Sequence, residues 1–493
     1  MKLNKYKWFV LLLAGVVVGC SSDDDNEVIV EPVEYTSGSA DFSTYVALGN
    51  SLTAGFTDGA LFMAAQQNSV PNILAQQFEL AGGGEFTQPL MSGNTVGLLL
   101  GGIPIQEPRL FFNGAGPQRL NVTPTTEVTT KLTGQFNNMG VPGAKSFHLL
   151  SPGYGNVAGV ATGQANPYFA RFASTANATV IGDAIAQDPT FFSLWIGNND
   201  VLSYATSGGD GVYQKENLDS STYGGNDITN PNVFAQVYNG LVNSLVATGA
   251  DGVLANIPNV TTIPYFTTVP HNPVPLDAAT AGALGQGYAQ YNGGLQAALA
   301  GGLISANEAA ARTIAFTAGS NAVVIEDESL TNLSALGLPS YRHATANDLI
   351  VLTASTFIGT SVGGNAQLIN GVTVPLADKW VLTPAEQANV LEATTAFNQT
   401  IKAAADANGL AFVDVNAIMN QLATTPGGVP FNEFFLNAKL VFGGAFSLDG
   451  VHPTGRGYAF LANKFIEAIN AKYGSNLPPV KAAGYTTLFP ASL

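Results

Sequence analysis

Three times along this chain a stretch with helical spacing gives way, through a polar break, to a short apolar run, and that rhythm restricts the fold more than any other feature. "ATVIGDAIAQDP" precedes "TFFSLWIGNND", "NVFAQVYNGLVNSLVATGA" precedes "DGVLANIPNV", and "PAEQANVLEATTAFNQTIKAAADANG" precedes "LAFVDV", which puts strands near 191–196, 252–257 and 410–414. An earlier run, "TYVALGN", leads into a helix over "VPNILAQQFELAG", where Pro71 suits a first turn and the glycines at 82–84 end it. A last helix reads "TGRGYAFLANKFIEAINAKYG". Such alternation predicts an α/β protein whose parallel sheet carries helices on both faces, with ligands at the carboxyl ends of the strands. No internal repeat of fixed period interrupts it.

Two stretches depart from the rhythm. Residues 83–177 are rich in Gly, Pro, Asn and Thr, and residues 258–383 mix turn signals with the apolar "DLIVLTASTFIGT" and "INGVTVPLADKWVL". Both read as insertions on the sheet, giving one domain over residues 41–493. The second insertion brings Tyr265, Phe266, Phe357 and Trp380, which suit either core packing or an apolar wall or lid over a substrate. With 46% hydrophobic residues the 493-residue chain can bury a large core, which excludes a disordered chain.

The N-terminus places Lys2, Lys5 and Lys7 ahead of an apolar run over 8–19 that is too short to span a bilayer but suits a secretory signal. "VVGC" resembles a bacterial lipobox, which implies removal of residues 1–19 and lipidation of Cys20, the only cysteine. Residues 20–40 then form a flexible acidic tether. Asp23, Asp24 and Asp25 resemble the export signal of bacterial surface lipoproteins, and equally suit a solvated tether. The expectation is an outer-membrane lipoprotein facing the cell exterior. Residues 1–19 hold three lysines and no acids, so their loss takes the net charge from −16 to −19. That balance disfavours nucleic acid, whose phosphates need Lys and Arg, and disfavours adhesion to anionic lipid, leaving the acyl chain as the membrane contact.

A neutral serine hydroxyl needs a general base, and the base needs a third group to fix its tautomer. Ser51 stands at the end of the apolar strand in "YVALGNSLTAGF". Of the four histidines, His452 lies three residues after Asp449 in "FSLDGVHPTG", where Gly450 allows a tight turn and Pro453 keeps His452 out of helical geometry. Asp449 can hold His452, and His452 can take the Ser51 proton. Acyl transfer also needs donors for an oxyanion: Gly143 in "NMGVPG" offers a close backbone N–H, and Asn199 in "WIGNNDVL" an amide. Taken singly, Gly143 equally reads as a plain turn and Asn199 as a turn or helix cap.

Taken together and in order, "GNSL" at 49–52, "NMGVPG" at 138–143, "GNND" at 197–200 and "DGVH" at 449–452 resemble the four blocks of the SGNH (GDSL-type) hydrolase family. The resemblance implies a flavodoxin-like, three-layer fold and ester hydrolysis through a serine acyl-enzyme, with Ser51, His452 and Asp449 catalytic and Ser51 N–H, Gly143 N–H and Asn199 as oxyanion donors. It departs at Asn50, where the family has an aspartate. The substrate is then a carboxylic ester, as for an esterase or lipase, or alternatively an acylated glycan that is deacetylated by the same site. A non-catalytic surface-binding lipoprotein is the reading from another class. A rival nucleophile, Ser361 in "GTSVG", matches G-x-S-x-G, but the Gly-rich loop, Asn-Gly turn and strand that come after it do not supply the required helix. Scattered histidines and the absence of a metal-ligand spacing predict chemistry without metal or cofactor.

Overall fold

Five short runs pair side by side in the computed structural model, which describes residues 33–493. They are β1 (Tyr45–Gly49), β2 (Asn138–Gly140), β3 (Phe191–Trp195), β4 (Asp251–Ala255) and β5 (Ala411–Val413). All neighbours are parallel, in the order β2-β1-β3-β4-β5, which is the flavodoxin-like arrangement. Every residue of β1 and β3 is buried, which is why these strands read as continuous apolar runs instead of alternating ones. The expected signal sequence, Cys20 and residues 23–25 lie outside the described residues.

Eight helices frame the sheet and the site: α1 (Ser51–Ala54), α2 (Val70–Glu79), α3 (Val180–Ile185), α4 (Asn199–Thr206), α5 (Pro231–Val246), α6 (Pro384–Asn408), α7 (Val415–Thr424) and α8 (Gly455–Tyr473). On one face α2 and α8 meet the sheet through aromatic pairs: Phe78 lies against Tyr45, Tyr473 against Phe191, and Phe465 against Trp195. The other face carries α3, α5 and α6, with Phe234 of α5 stacked on Phe397 of α6 at 4.1 Å. The ends of these helices arise from local chemistry. Ser69 caps α2, Thr383 and Glu386 form a capping box at α6, and Gly409 in the left-handed region stops it. Among the described residues no helix is long and apolar enough to cross a membrane.

Two expectations need correction. β2 falls inside the stretch expected to be an insertion, because three residues with Asn138 and Gly140 at their ends give no apolar period. Gly140 is needed there for space: a Cβ would sit 2.4 Å from the Ala54 nitrogen. The rest of that stretch forms, outside the main sheet, a three-stranded sheet of Ile103–Gln106, Leu98–Leu100 and Thr126–Glu127, a pair of Leu110–Phe112 with Pro117–Arg119, and short helical turns. The chain also engages the core before Asp41. Thr36 N–H donates to Asn476 and Ser39 N–H to the Tyr473 carbonyl, and one compact unit runs Tyr35–Leu493.

Residues 258–383 form two-stranded antiparallel pairs and helices over Ala278–Gly287, Ala289–Ala300 and Ala306–Arg312, and join the main core through Phe266, Ile325, Val351 and Leu376. Phe357 stacks on Trp380 at 4.7 Å and both are packed against that core.

Candidate active site

β1 ends at Gly49, whose space is filled from two sides: a Cβ there would lie 2.1 Å from Thr53 Oγ1 and 2.4 Å from the Trp195 carbonyl. The chain therefore turns at once into α1, with Asn50 as its cap and Ser51 as its first residue. Asn50 Oδ1 accepts the Leu52 N–H at 3.0 Å, while its buried Nδ2 has no partner. An asparagine thus serves as the cap that an aspartate would, at the cost of one orphaned donor. The Ser51 N–H, first in its helix, has no intrahelical acceptor and is left for another group.

The loop bearing Asp449 and His452 is closed by its own backbone. Gly450 N–H donates to the Ser447 carbonyl at 3.0 Å and Ser447 N–H to the His452 carbonyl at 2.8 Å. Gly450 has φ +73°, and a Cβ there would also press on Tyr265 N at 2.9 Å, so conformation and space both require glycine. Asp449 Oδ1 accepts from Val451 N–H, His452 N–H and Ser447 Oγ, while Oδ2 accepts from Gly59 N–H and lies 2.9 Å from His452 Nδ1. On the far side of the ring, His452 Nε2 stands 2.9 Å from Ser51 Oγ. Burial alone would raise the Asp449 carboxyl, but the His452 ring and these donors hold it down to about 2. It is therefore a carboxylate at neutral pH, and it fixes the tautomer that leaves Nε2 free to accept the serine proton.

The expected oxyanion donors Gly143 and Asn199 stand in the segments just after β2 and β3. Val141-Pro142-Gly143-Ala144 forms a type II turn, with Ala144 N–H on the Val141 carbonyl at 3.1 Å and Gly143 at φ +81°. Val141 N–H donates to the Gly49 carbonyl, which ties this turn to the strand bearing the serine. One N–H of the Asn199 amide donates to the Ala144 carbonyl at 2.9 Å, which orients the amide and leaves its second N–H for the crevice that Asn199 lines. The turn and Asn199 are thus joined, although Gly143 itself does not line that crevice.

Several supporting residues are missing from the sequence reading. Asp200 is fully buried and accepts both Ser146 N–H and Ser146 Oγ at 2.8 Å, pinning the β3 loop to the β2 loop. Asp58, at φ +52°, donates its N–H to Ser447 Oγ and accepts Leu448 N–H on Oδ1. Burial, helped by the Asp449 charge and opposed by that N–H, pushes the Asp58 carboxyl up to about 7. Asn198, adjacent to Asn199, is buried in the crevice wall with neither amide atom partnered. Asp58 is invisible to spacing arguments because its partners lie some 390 positions away in the chain. Asn198 had a signal in "GNND", where two amides stand side by side.

A narrow crevice beside Ser51 and His452 is walled by Leu202, Val260, Ile263, Val415, Met419 and Leu461. The second insertion contributes Val260 and Ile263 to this wall, and none of Tyr265, Phe266, Phe357 or Trp380 lines it. Ser361 sits exposed in a hairpin, Ser361–Val362 with Asn365–Ile369, without the strand-to-helix elbow that a nucleophile requires. His148 stacks on Tyr154 and is held down to about 4 by burial and then by Lys145, so it is a neutral, half-buried group that does not line the crevice.

The fold and site define a flavodoxin-like α/β protein with a Ser–His–Asp constellation at the sheet's carboxyl edge, where strand order reverses between β1 and β3. No protein-family model and no curated protein matches the chain. Two solved structures are similar to it at low score. One is a variant of an acetyl-xylooligosaccharide esterase from Geobacillus Stearmophilus, 11% identical, with TM-score 0.32 over 88% of this chain and 96% of that one. The other is an extracellular lipase from Streptomyces rimosus, 10% identical, with TM-score 0.30 over 87% of this chain and 98% of that one.

Proposed function

We propose that this protein is an SGNH-type serine hydrolase that cleaves carboxylic esters through an acyl-enzyme. The observation that carries the reading is the unbroken relay from Ser51 Oγ through His452 to Asp449, each step 2.9 Å. Ser51 attacks the ester carbonyl as His452 takes its proton, and Asp449 stabilises the imidazolium. Ser51 N–H, Gly143 N–H and the free N–H of Asn199 receive the oxyanion. His452 then protonates the departing alcohol. Water, activated by the same ring, attacks the acyl-enzyme and releases the acid. No step calls on a metal or cofactor.

The crevice wall is largely apolar and supports an ester with an apolar acyl or alcohol part in preference to an acetylated glycan. Cys20 would carry the lipid that anchors the enzyme to the outer membrane. Fluorophosphonate labelling of the mature protein tests the nucleophile: labelling is expected to vanish in Ser51→Ala and persist in Ser361→Ala. Loss only in Ser361→Ala, or no labelling of folded wild type, would sink the proposal.

A further inference from the structure

We propose that Glu328, Asp378 and Glu386 form a calcium site that clamps the second insertion onto α6, remote from the serine. The three carboxylates each offer an oxygen within 4.8 Å of the other two. Ligand oxygens on one calcium ion, bound at about 2.3–2.6 Å, can lie no more than about 5 Å apart, so the spacing fits a shared ion.

Proximity of acids is not the only observation. Glu386 is 4% exposed, and its two oxygens have different surroundings. Oε2 accepts Thr383 N–H at 2.6 Å and Thr383 Oγ1 at 2.8 Å, completing the helix cap, whereas Oε1 is buried without a partner. Asp378 Oδ1 is likewise buried without a donor, facing the other carboxyls of the cluster. Two acceptor-only oxygens enclosed beside a third carboxylate require a cation or a proton between them.

The surroundings favour the cation. Asp210, Glu326 and Asp327 line the adjoining open cleft, from which water can complete a coordination shell. Arg342 is committed to Asp327 and Asp348, and the Lys379 ammonium stands over the Trp380 ring. Among the described residues none of the three carboxylates forms an ion pair. The backbone is also built around the cluster. Gly209, at φ +94°, approaches so closely that a Cβ would meet Glu386 Oε1 at 2.1 Å. Gly208 packs in the same way on the Asp378 carbonyl. These glycines lie just past the C-terminus of α4, whose negative dipole end adds to the attraction for a cation. Three carboxylates and open water suit the flexible, oxygen-rich shell of calcium better than the strict octahedron of magnesium.

The site joins parts of the chain that are remote in sequence: Glu328 and Asp378 from the insertion, Glu386 from the first turn of α6, and Gly208–Gly209 after the helix that begins with Asn199. Its ligands come from separate segments, which is why no metal-ligand spacing is visible in the sequence.

The test is thermal melting and terbium luminescence of the chelator-treated, full-length protein at pH 7.5, titrated with calcium or magnesium chloride. Calcium at about 100 times its Kd should raise Tm by roughly 3–5 °C, with magnesium giving less. Terbium should luminesce and be displaced by calcium. Glu386→Gln retains the capping geometry and should abolish both responses, as should Asp378→Asn. A calcium response equal in wild type and both variants, or no response in folded wild type, would overturn the proposal and leave shared protons as the occupants. Both readouts are independent of ester hydrolysis, so an inactive enzyme would not decide the matter.

Discussion

The meeting of Ser51, His452 and Asp449 in space was legible because each residue type has a specific chemical need and the order of the motifs supplied the pairing. What the sequence could not supply was the orientation of the amides. Asn199 gives one N–H to the Ala144 carbonyl, and only that bond makes its second N–H a fixed donor instead of a rotating one. Asn199→Ala should therefore lower kcat about 100- to 1,000-fold with little change in KM, because the lost bond strengthens only as charge develops on the oxygen. Steady-state kinetics on a soluble ester checks this. A KM effect with unchanged kcat would instead make Asn199 a ground-state binding group. Asn50 illustrates a residue whose identity was plain but whose consequence was not. Its Oδ1 does the capping, so the missing charge leaves the serine turn formed, and the difference resides in one unpartnered Nδ2.

At the scale of elements, the long amphipathic helices and fully apolar strands were legible from period and composition, and the three-residue edge strand Asn138–Gly140 was not. Its place is set by the sheet, since it pairs with β1 through Ala47, Leu48 and Gly49, and by the small volume of Gly140. The contact between the loop after α1 and the loop before α8 was equally hidden, and it carries a titration. Asp58 ordinarily ionises near 3.8 but in the folded chain is held up to about 7, so the native state keeps a proton that the unfolded chain has released. Its contribution to stability therefore falls as pH rises from about 4 to 7 and stays low above that. Asp449 has the opposite sign: held at about 2, it stabilises the fold above pH 4, and that contribution is lost as pH falls through 2. Asp58→Asn keeps an oxygen for Leu448 N–H and removes the titration. Urea unfolding at pH 5 and pH 8 should show a smaller loss of stability at the higher pH in the variant than in wild type. An unchanged difference would show that Asp58 does not hold the proton.

Across the whole molecule, composition led to an expectation of two large insertions on the sheet but not of which way their side chains face. The four aromatics of the second insertion were equally suited to a lid or to packing, because hydrophobicity alone does not distinguish a surface that covers substrate from one that covers core. In the folded chain Phe266 is buried, Phe357 and Trp380 stack on each other, and Tyr265 N–H donates to the Gly450 carbonyl while its hydroxyl donates to Thr206. Gly450 belongs to the loop that carries Asp449 and His452, so lifting this segment would disturb that loop instead of uncovering it. This part of the insertion lends Val260 and Ile263 to the crevice, and its tie to Gly450 predicts a fixed wall there instead of a lid. A fixed wall makes a kinetic prediction: with a short-chain ester titrated through its solubility limit, the rate should track saturation by dissolved substrate and show no jump when droplets form. A sharp rise at that point would mean that the segment opens at an interface, and it would have to break the Tyr265–Gly450 bond to do so.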